Sequence, residues 1–219
     1  MCGRFAQMMS WKDLHDLLGG DTFDERPPLD ARFNIAPSSL IQTAMWHNSR
    51  LMITPMTWGL KPSWAKSLLI NAQSEKYVAP DRGYWAEFTR CVIPASGFYE
   101  WQTKPGGNKQ PMYIQLKGGA PFLFAGLHRL VQSDTAGATP HCVIVTTYPN
   151  AIMRPIHKRM PVILRPEHHR IWADPESDRS DLTEIVQPVN PDEIEAYPVD
   201  ASVGNTKNDG PDLIRPIEI

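Results

Sequence analysis

The chain has 219 residues, of which 42% are hydrophobic and 21% charged, a composition that indicates an ordinary globular protein. Its formal net charge of −2 excludes a protein that binds nucleic acid through bulk positive charge, so any DNA contact requires a local basic cleft. The odd count of three cysteines argues against a disulfide framework, and no apolar run reaches the roughly 20 residues that span a bilayer.

The first predicted element is a short amphipathic helix. Ser10 with Asp13 three residues later has the pattern of a capping box, and leucines at helical spacing follow until Gly19. Residues 21–32 are polar and contain proline, which predicts a loop.

Strand-like segments dominate the middle of the chain. Residues 40–46 and 51–58 flank a polar stretch at 47–50, which predicts a β-hairpin. Further short strands, several of them continuous apolar runs typical of buried strands, are predicted at residues 91–94, 98–102, 112–116, 121–127, 142–148 and 160–164.

Helical patterns return near the C-terminus. Helices are predicted over residues 166–173 and at about 178–186, with a short third one beginning at Pro191. Residues 203–215 are rich in Gly, Asn and Pro, and we expect them to pack as an extended segment. The sequence therefore predicts an α+β fold, a single domain over residues 1–219 with a twisted, barrel-like, mostly antiparallel β-sheet core and a few short flanking helices.

Cys2 is the first candidate for chemistry. An initiator methionine before a small residue is normally removed, which would leave an α-amine and a thiol on one residue. An aldehyde condenses with such an amine, and the thiol then closes a five-membered thiazolidine ring at a high effective concentration. The alternative is a small buried residue at a frayed terminus. Gly3, which permits close ligand approach, and Arg4, which can pair with a phosphate, favour the functional interpretation.

Three polar positions elsewhere invite the same question. Asn71 follows an apolar pair and can orient a substrate, or it can cap a helix or form a turn. Glu100 lies between aromatic residues, which favours acid/base chemistry, although strand alternation can equally place it on the solvent face. His157 suits proton transfer, and the two cations that follow it suit contacts with phosphates. The alternative is an exposed basic turn.

Two further segments carry weaker signals. Trp58 and Trp64 flank a Lys-Pro pair, a pattern that suits base stacking, although Trp58 can equally belong to the core. His168 and His169 have no Cys or carboxylate at metal-site spacing, so we interpret them as surface residues and expect no metal.

Taken in order, these segments resemble the SRAP family, the SOS-response-associated "peptidases" regarded as sensors of abasic sites. Each motif is short, but the ordered set covers essentially the whole chain. The matching pieces are Met-Cys-Gly-Arg-Phe at 1–5, Phe-Asn-Ile-Ala-Pro at 33–37, Trp-Gly-Leu at 58–60, Pro-Ser-Trp at 62–64, Ile-Asn-Ala at 70–72, Gly-Phe-Tyr-Glu-Trp at 97–101, Ile-His-Lys-Arg-Met-Pro at 156–161 and Val-Gly-Asn at 203–205.

The resemblance implies a role for each matching residue. Cys2 corresponds to the nucleophile, Asn71 to a residue that orients the adduct, and Glu100 and His157 to proton-transfer groups. The resemblance further implies DNA-binding positions, which are phosphate contacts at Arg4 and Arg159, a cleft lined by Trp64 and Trp101, and cleft-shaping residues at Asn34 and Pro37.

One position departs from the family pattern. The family commonly has Asn-Ala-Arg where this chain has Asn71-Ala72-Gln73. The missing cation puts one phosphate contact in doubt, and Arg82 or Lys76 is the candidate to replace it.

The expected function is covalent capture of abasic sites in single-stranded DNA through Cys2, with associated lyase chemistry and no cofactor. We expect a cytoplasmic monomer without a signal peptide or membrane segment, associated with the nucleoid when it is on DNA. Three alternatives remain open. They are an N-terminal-nucleophile hydrolase of the glutamine amidotransferase type, a cysteine peptidase using Cys2 and His157, and a non-covalent single-strand binding module.

Overall fold

A computed structural model describes residues 2–19, 30–47, 50–133 and 137–218 of the chain. The predicted loop at 21–32 and the hairpin turn at 47–50 fall largely outside these ranges. The strands of the described residues are β1 (Phe5–Gln7), β2 (Arg32–Ile35), β3 (Leu40–His47), β4 (Arg50–Trp58), β5 (Asn71–Gln73), β6 (Thr89–Ala95), β7 (Gly97–Thr103), β8 (Lys109–Leu116), β9 (Phe122–Ser133), β10 (Gly137–Thr147), β11 (Met160–Pro161), β12 (Ile163–Leu164) and β13 (Ile194–Pro198).

The helices are short. The α-helices are α1 (Trp11–Leu18), α2 (Ser74–Tyr77), α3 (His169–Ala173) and α4 (Arg179–Ile185). Single turns of 3₁₀ helix occupy Gly83–Glu87, Pro166–His168, Pro191–Glu193, Ala201–Gly204 and Pro211–Ile214.

Five strands close into a barrel. The antiparallel pairs are β4 with β3, β3 with β6, β6 with β9 and β9 with β10. A parallel contact between β10 and β4 closes the ring. Alternate residues point inward, so Phe122 and Phe124 of β9 lie in the barrel core. Leu123, Ala125 and Leu127 point outward and pack against α1, α3 and α4. The helices therefore cover the outer face of the barrel.

A second, antiparallel sheet packs beside the barrel, with strand order β13-β8-β7-β1-β2. Phe5 of β1 and Phe98 of β7 face the barrel and join its core, with Phe5 edge-on to Trp58 at 5.1 Å between ring centroids. Tyr99 and Tyr113 point to the other face, where the C-terminal segment covers them. The two sheets thus enclose the residues at the N-terminus of the chain.

The predicted fold class is confirmed, as are the pairing of 40–46 with 51–58 and the capping box of α1. The prediction of an extended tail over 203–215 was wrong, because two 3₁₀ turns shorten it. Asp200 begins the first of these turns by accepting a hydrogen bond from the Ser202 amide. Strands β1, β2, β5 and β13 were not predicted. No helix within the described ranges is long and apolar enough to span a bilayer.

Gly97 offers a test of the packing between β7 and β8. A Cβ atom at this position would lie 2.3 Å from the phenol oxygen of Tyr113 and 2.8 Å from the backbone oxygen of Ile114. Because neither atom is the end of a flexible chain, we expect Gly97→Ala to lower the free energy of unfolding by about 3 kcal/mol, measured by urea denaturation. Gly204→Ala is the matched control, since a Cβ there meets no atom within 4 Å. Equal stabilities for the two variants would contradict this packing.

Candidate active site

The N-terminal segment is drawn into the core by strand β1. β1 pairs with both β2 and β7, and the Tyr99 amide donates to the Arg4 carbonyl at 2.9 Å. This ladder carries Cys2 into the barrel core, where the residue is fully buried. Burial, together with the nearby negative charge of Glu100, raises the pKa of the Cys2 thiol. The thiol is therefore held protonated, and its own chemistry requires a neighbour that accepts the proton.

Glu100 is such a neighbour. It lies two residues after Phe98 on β7, so its side chain is on the same face of the strand and points toward the barrel. The solvent-face alternative was wrong, because Glu100 is only 5% exposed. Burial raises the pKa of its carboxyl group to about 7. This carboxyl can therefore donate or accept a proton near neutral pH.

His157 lies beside this carboxyl group. Its Nδ1 is 3.9 Å from Oε1 of Glu100, and it is within hydrogen-bond distance of the Arg159 amide and carbonyl, at 3.1 and 3.0 Å. Partial burial lowers the pKa of the imidazole, so the neutral form predominates at physiological pH. A neutral ring held by backbone contacts is suited to relay protons.

Arg159 anchors the His157 segment, and the exposed-turn alternative does not describe it, since Arg159 is only 7% exposed. Its guanidinium donates to both carboxylate oxygens of Glu75 at 2.8 Å and to the Thr146 carbonyl at 2.6 Å. Burial would raise the pKa of Glu75, but the hydrogen bonds and charge of Arg159 outweigh it and lower that pKa. The charge of Arg159 is thus compensated within the protein, and the guanidinium also lies over the Tyr148 ring at 5.1 Å.

Asn71 is the first residue of β5, which pairs parallel with β10, so the helix-cap and turn alternatives were wrong. Its Nδ2 makes a long contact of 3.5 Å with the Ile144 carbonyl. Its Oδ1 is buried and accepts no hydrogen bond from any residue that the structure describes. A buried amide oxygen without a donor is costly to maintain, which marks it as a position that awaits a partner.

Asn71 also lines a cavity of about 590 Å³. Trp64, Tyr84 and Trp85 provide aromatic walls, with Tyr84 edge-on to both tryptophans at 5.0 and 5.3 Å. Trp64 is 62% exposed. Gln73, the position that departs from the family pattern, lines this cavity, and so do both candidate replacement cations, Lys76 and Arg82.

A second group joins the N-terminus to the tail. Nη1 of Arg4 donates at 2.7 Å to Oδ1 of Asn34 and to the Val203 carbonyl, and its guanidinium lies 5.8 Å from the Trp101 ring. Asn34 in turn donates to the carbonyls of residues 203, 205 and 208. Pro37 lies half-buried in the turn between β2 and β3. These residues brace the N-terminal segment, and the phosphate contact of Arg4 stays a prediction.

Sequence reasoning missed some of the surroundings. Glu75 was not predicted as part of the site, and its pairing with Arg159 spans 84 residues. Tyr84 and Trp85 were not singled out, although a Tyr-Trp pair close to the Trp64 segment was an available signal. The interpretation of His169 as a surface residue was wrong. It is 5% exposed, and its ring nitrogens lie 3.0 and 3.3 Å from the carbonyls of Leu17 and Leu164.

Comparisons with known proteins identify the family of this chain. The sequence model of the family described as SOS response associated peptidase (SRAP) matches residues 1–206. The chain belongs to the SRAP family. Every candidate catalytic and DNA-binding residue predicted from the sequence lies inside the matched range. The SRAP signatures at 1–5, 97–101 and 156–161 thus correspond to the three segments that meet around Cys2.

Several relatives of this SRAP chain are described as abasic site processing proteins. The abasic site processing protein YoqW of Bacillus subtilis (strain 168) is 36% identical over 221 residues, which covers 98% of this chain and 99% of the relative. YedK of Escherichia coli (strain K12), with the same description, is 32% identical and covers 99% and 100%. Among solved structures, a phage-related protein from Bordetella bronchiseptica is 30% identical with a TM-score of 0.72, covering 90% of this chain and 94% of that one.

Glu100→Gln tests the electrostatics of the site through stability. Because burial raises the Glu100 pKa from 4.5 to about 7, the folded state holds this proton more tightly than the unfolded chain. The resulting stability is fully present below pH 4.5 and is lost as the pH rises through 7. We expect the wild type to lose about 3 kcal/mol of unfolding free energy relative to the variant over this window, measured by urea denaturation at several pH values. Parallel pH profiles for the two proteins would refute the assignment.

Proposed function

We propose that this protein processes abasic sites in single-stranded DNA by forming a thiazolidine between mature Cys2 and the ring-opened sugar. The observation that carries the proposal is the meeting of the buried Cys2 thiol, the Glu100 carboxyl and the His157 imidazole. The names of the relatives, abasic site processing proteins, support the same substrate. The chemistry begins with loss of Met1, which would free the Cys2 amine.

Opening of the sugar is the first step. An abasic deoxyribose is mainly a closed hemiacetal, and the aldehyde appears when the C1 hydroxyl loses a proton and the ring oxygen gains one. A neutral imidazole can take the first proton and deliver the second. His157 suits this step because burial lowers its pKa and the Arg159 backbone fixes its orientation.

Imine formation follows. The Cys2 amine adds to the aldehyde carbon to form a carbinolamine, whose hydroxyl then leaves as water. That departure requires a proton, and Glu100 supplies it, because a carboxyl with a pKa of about 7 is still partly protonated at neutral pH. The same proton transfer leaves Glu100 as a carboxylate beside the thiol.

Ring closure completes the adduct. The Cys2 sulfur bonds to the carbon of the protonated imine, the sulfur's proton passes to the Glu100 carboxylate, and the electron pair of the C=N bond returns to the nitrogen, which keeps its hydrogen as the ring N–H. The net reaction is aldehyde plus aminothiol giving thiazolidine plus water. The new ring N–H needs an acceptor, and the Oδ1 of Asn71, which has no donor among the described residues, is the group we assign to it.

Strand cleavage competes with closure. An imine at the sugar C1 acidifies the neighbouring C–H, so β-elimination of the 3′ phosphate gives lyase activity. Closure removes the imine and protects the strand. We assign the cavity beside Asn71 to the flanking nucleotides, because its exposed Trp64 and its cations Lys76 and Arg82 suit stacking and backbone contact with an unpaired strand.

The environment of the thiol argues against a peptidase. A peptidase thiol is activated by a lowered pKa, usually through ion-pairing with histidine. Here burial and Glu100 raise the pKa of Cys2, and His157 lies next to the carboxyl of Glu100. That arrangement suits a neutral thiol that gives up its proton only during ring closure.

An abasic oligonucleotide provides the direct test. We expect the mature wild-type protein to form an adduct that survives a denaturing gel with a single-stranded oligonucleotide carrying one abasic site, and to form much less with the duplex. Cys2→Ala removes the thiol, and with it the adduct. Failure of the wild type, with Met1 absent by intact mass, would overturn the proposal.

Two variants separate the roles of the amine and the thiol. Cys2→Ser keeps the amine but lacks the thiol, so we expect it to form an imine that borohydride traps. In the absence of borohydride we expect no stable adduct and increased strand cleavage. A peptide tag left before Cys2 converts the amine to an amide and should abolish both products. Glu100→Gln is expected to slow adduct formation by about 10²-fold or more, the usual effect of losing a general acid.

A further inference from the structure

We infer that one open end of the barrel holds a second site, which receives a nucleobase several positions from the abasic sugar; the inference rests on the proposed function. The site is a cavity of about 520 Å³, a size typical of small-molecule sites. Each of the five barrel strands contributes at least one inward residue to it, among them Met45, Thr54, Thr89, His128 and Pro140.

His128 is the polar centre of this cavity. It is only 9% exposed, and neither ring nitrogen has a hydrogen-bond partner among the residues that the structure describes. Burial lowers its pKa to about 4, so the ring is neutral and presents one N–H donor and one nitrogen acceptor. An apolar side chain would pack there without this cost, so the imidazole is better explained by a ligand than by the core.

The cavity connects to the candidate active site. An intermediate cavity of about 340 Å³ shares Trp64 and Tyr84 with the cavity beside Asn71. It shares Arg129 and Leu130 with the cavity at the barrel end. The three cavities therefore adjoin one another from Asn71 to His128, with Trp64 and Leu130 both 62% exposed along them. Under this inference they form one groove.

The lining specifies the chemistry of the occupant. Arg129 at the rim is paired with Glu87 at 3.0 Å, so the rim offers no net charge to an anion. The interior combines the neutral imidazole with the Thr54 and Thr89 residues and the apolar Met45. An uncharged, planar heterocycle with a donor beside an acceptor fits this lining, and the bases of DNA have that chemistry. The base can come from the strand that occupies the groove or from free nucleobase.

Equilibrium binding distinguishes the second site from the first. Single-stranded oligonucleotides with a tetrahydrofuran abasic analogue, which has no aldehyde, are lengthened one nucleotide at a time on either side, and affinity is measured by fluorescence anisotropy. For the wild type we expect a step in affinity when a base reaches His128. His128→Leu should lose that step, about tenfold in Kd, and keep the affinity for shorter oligonucleotides.

Controls exclude a merely structural effect. His128→Leu removes a buried unpartnered ring, so its melting temperature should rise rather than fall. Thr89 is paired with His128 across β6 and β9. Thr89→Val keeps the shape of the side chain and removes its hydroxyl, so it should weaken the same step in affinity. His15→Leu, on the exposed part of α1, should leave it unchanged.

A second arm identifies the source of the base. Thymine and adenine are titrated into the wild type while the imidazole signals of His128 are followed by NMR. Shifts without a length-dependent step would assign the site to free nucleobase. No shift and no step sensitive to His128 would overturn the inference. Adduct formation on a short abasic oligonucleotide reports on the proposed function separately, since that oligonucleotide does not reach His128.

Discussion

The chemistry proposed for this protein depends on the backbone ladder between β1 and β7. Three residues of β1 are enough to fix the register, because Phe5 pairs with Phe98 and the Arg4 carbonyl accepts from Tyr99. In that register Cys2 and Glu100 both lie on the face that points toward the barrel. One short strand thus determines both the burial of the thiol and its distance from a proton acceptor, and the bracing of Arg4 by Asn34 and the tail secures it.

Burial of Glu100 lowers the free energy of unfolding at neutral pH and raises the pKa of the carboxyl group into the range where it can both donate and accept a proton. A carboxyl on the core side of a β-strand is destabilised when it ionises, which is why its pKa reaches about 7. Under the proposed function, the same value allows one group to donate a proton when water leaves and to accept one when the sulfur adds. A solvent-exposed glutamate would be almost fully ionised and could perform only the second step. The instability at neutral pH and the proposed catalytic role therefore have one cause.

Sequence patterns predicted those parts of the fold that carry their own signal. The long apolar runs of β9 and β10 and the capping box of α1 are local features, and each formed at the predicted place, although β9 continues to Ser133 and β10 begins already at Gly137. The short strands β1, β2 and β5 have three or four residues, too few for a periodicity, and they exist because a neighbouring strand pairs with them.

The candidate site was likewise predictable from the sequence only in part. The residue types at Cys2, Asn71, Glu100 and His157 were recognisable, but strand alternation alone cannot tell which face of a strand becomes buried. The solvent-face alternative for Glu100 therefore remained open until the barrel was known. The pairing of Arg159 with Glu75 had no local signal, since it joins segments that meet only through β5 and β10.

These pairings also bear on how the protein would hold DNA under the proposed function. The Glu75 carboxylate compensates Arg159, Glu87 compensates Arg129, and Gln73 stands where the family commonly has a cation. Along the proposed groove the remaining cations are few, in keeping with a net charge of −2. Counterion release then contributes little to affinity, and aromatic contacts such as those of Trp64 contribute more.

Under the proposed function, weak reversible binding is sufficient, because a covalent bond at Cys2 retains only the strand that carries an aldehyde. Selectivity for damage would then arise from the reaction itself, and a low affinity for intact DNA would leave the protein free to search for it.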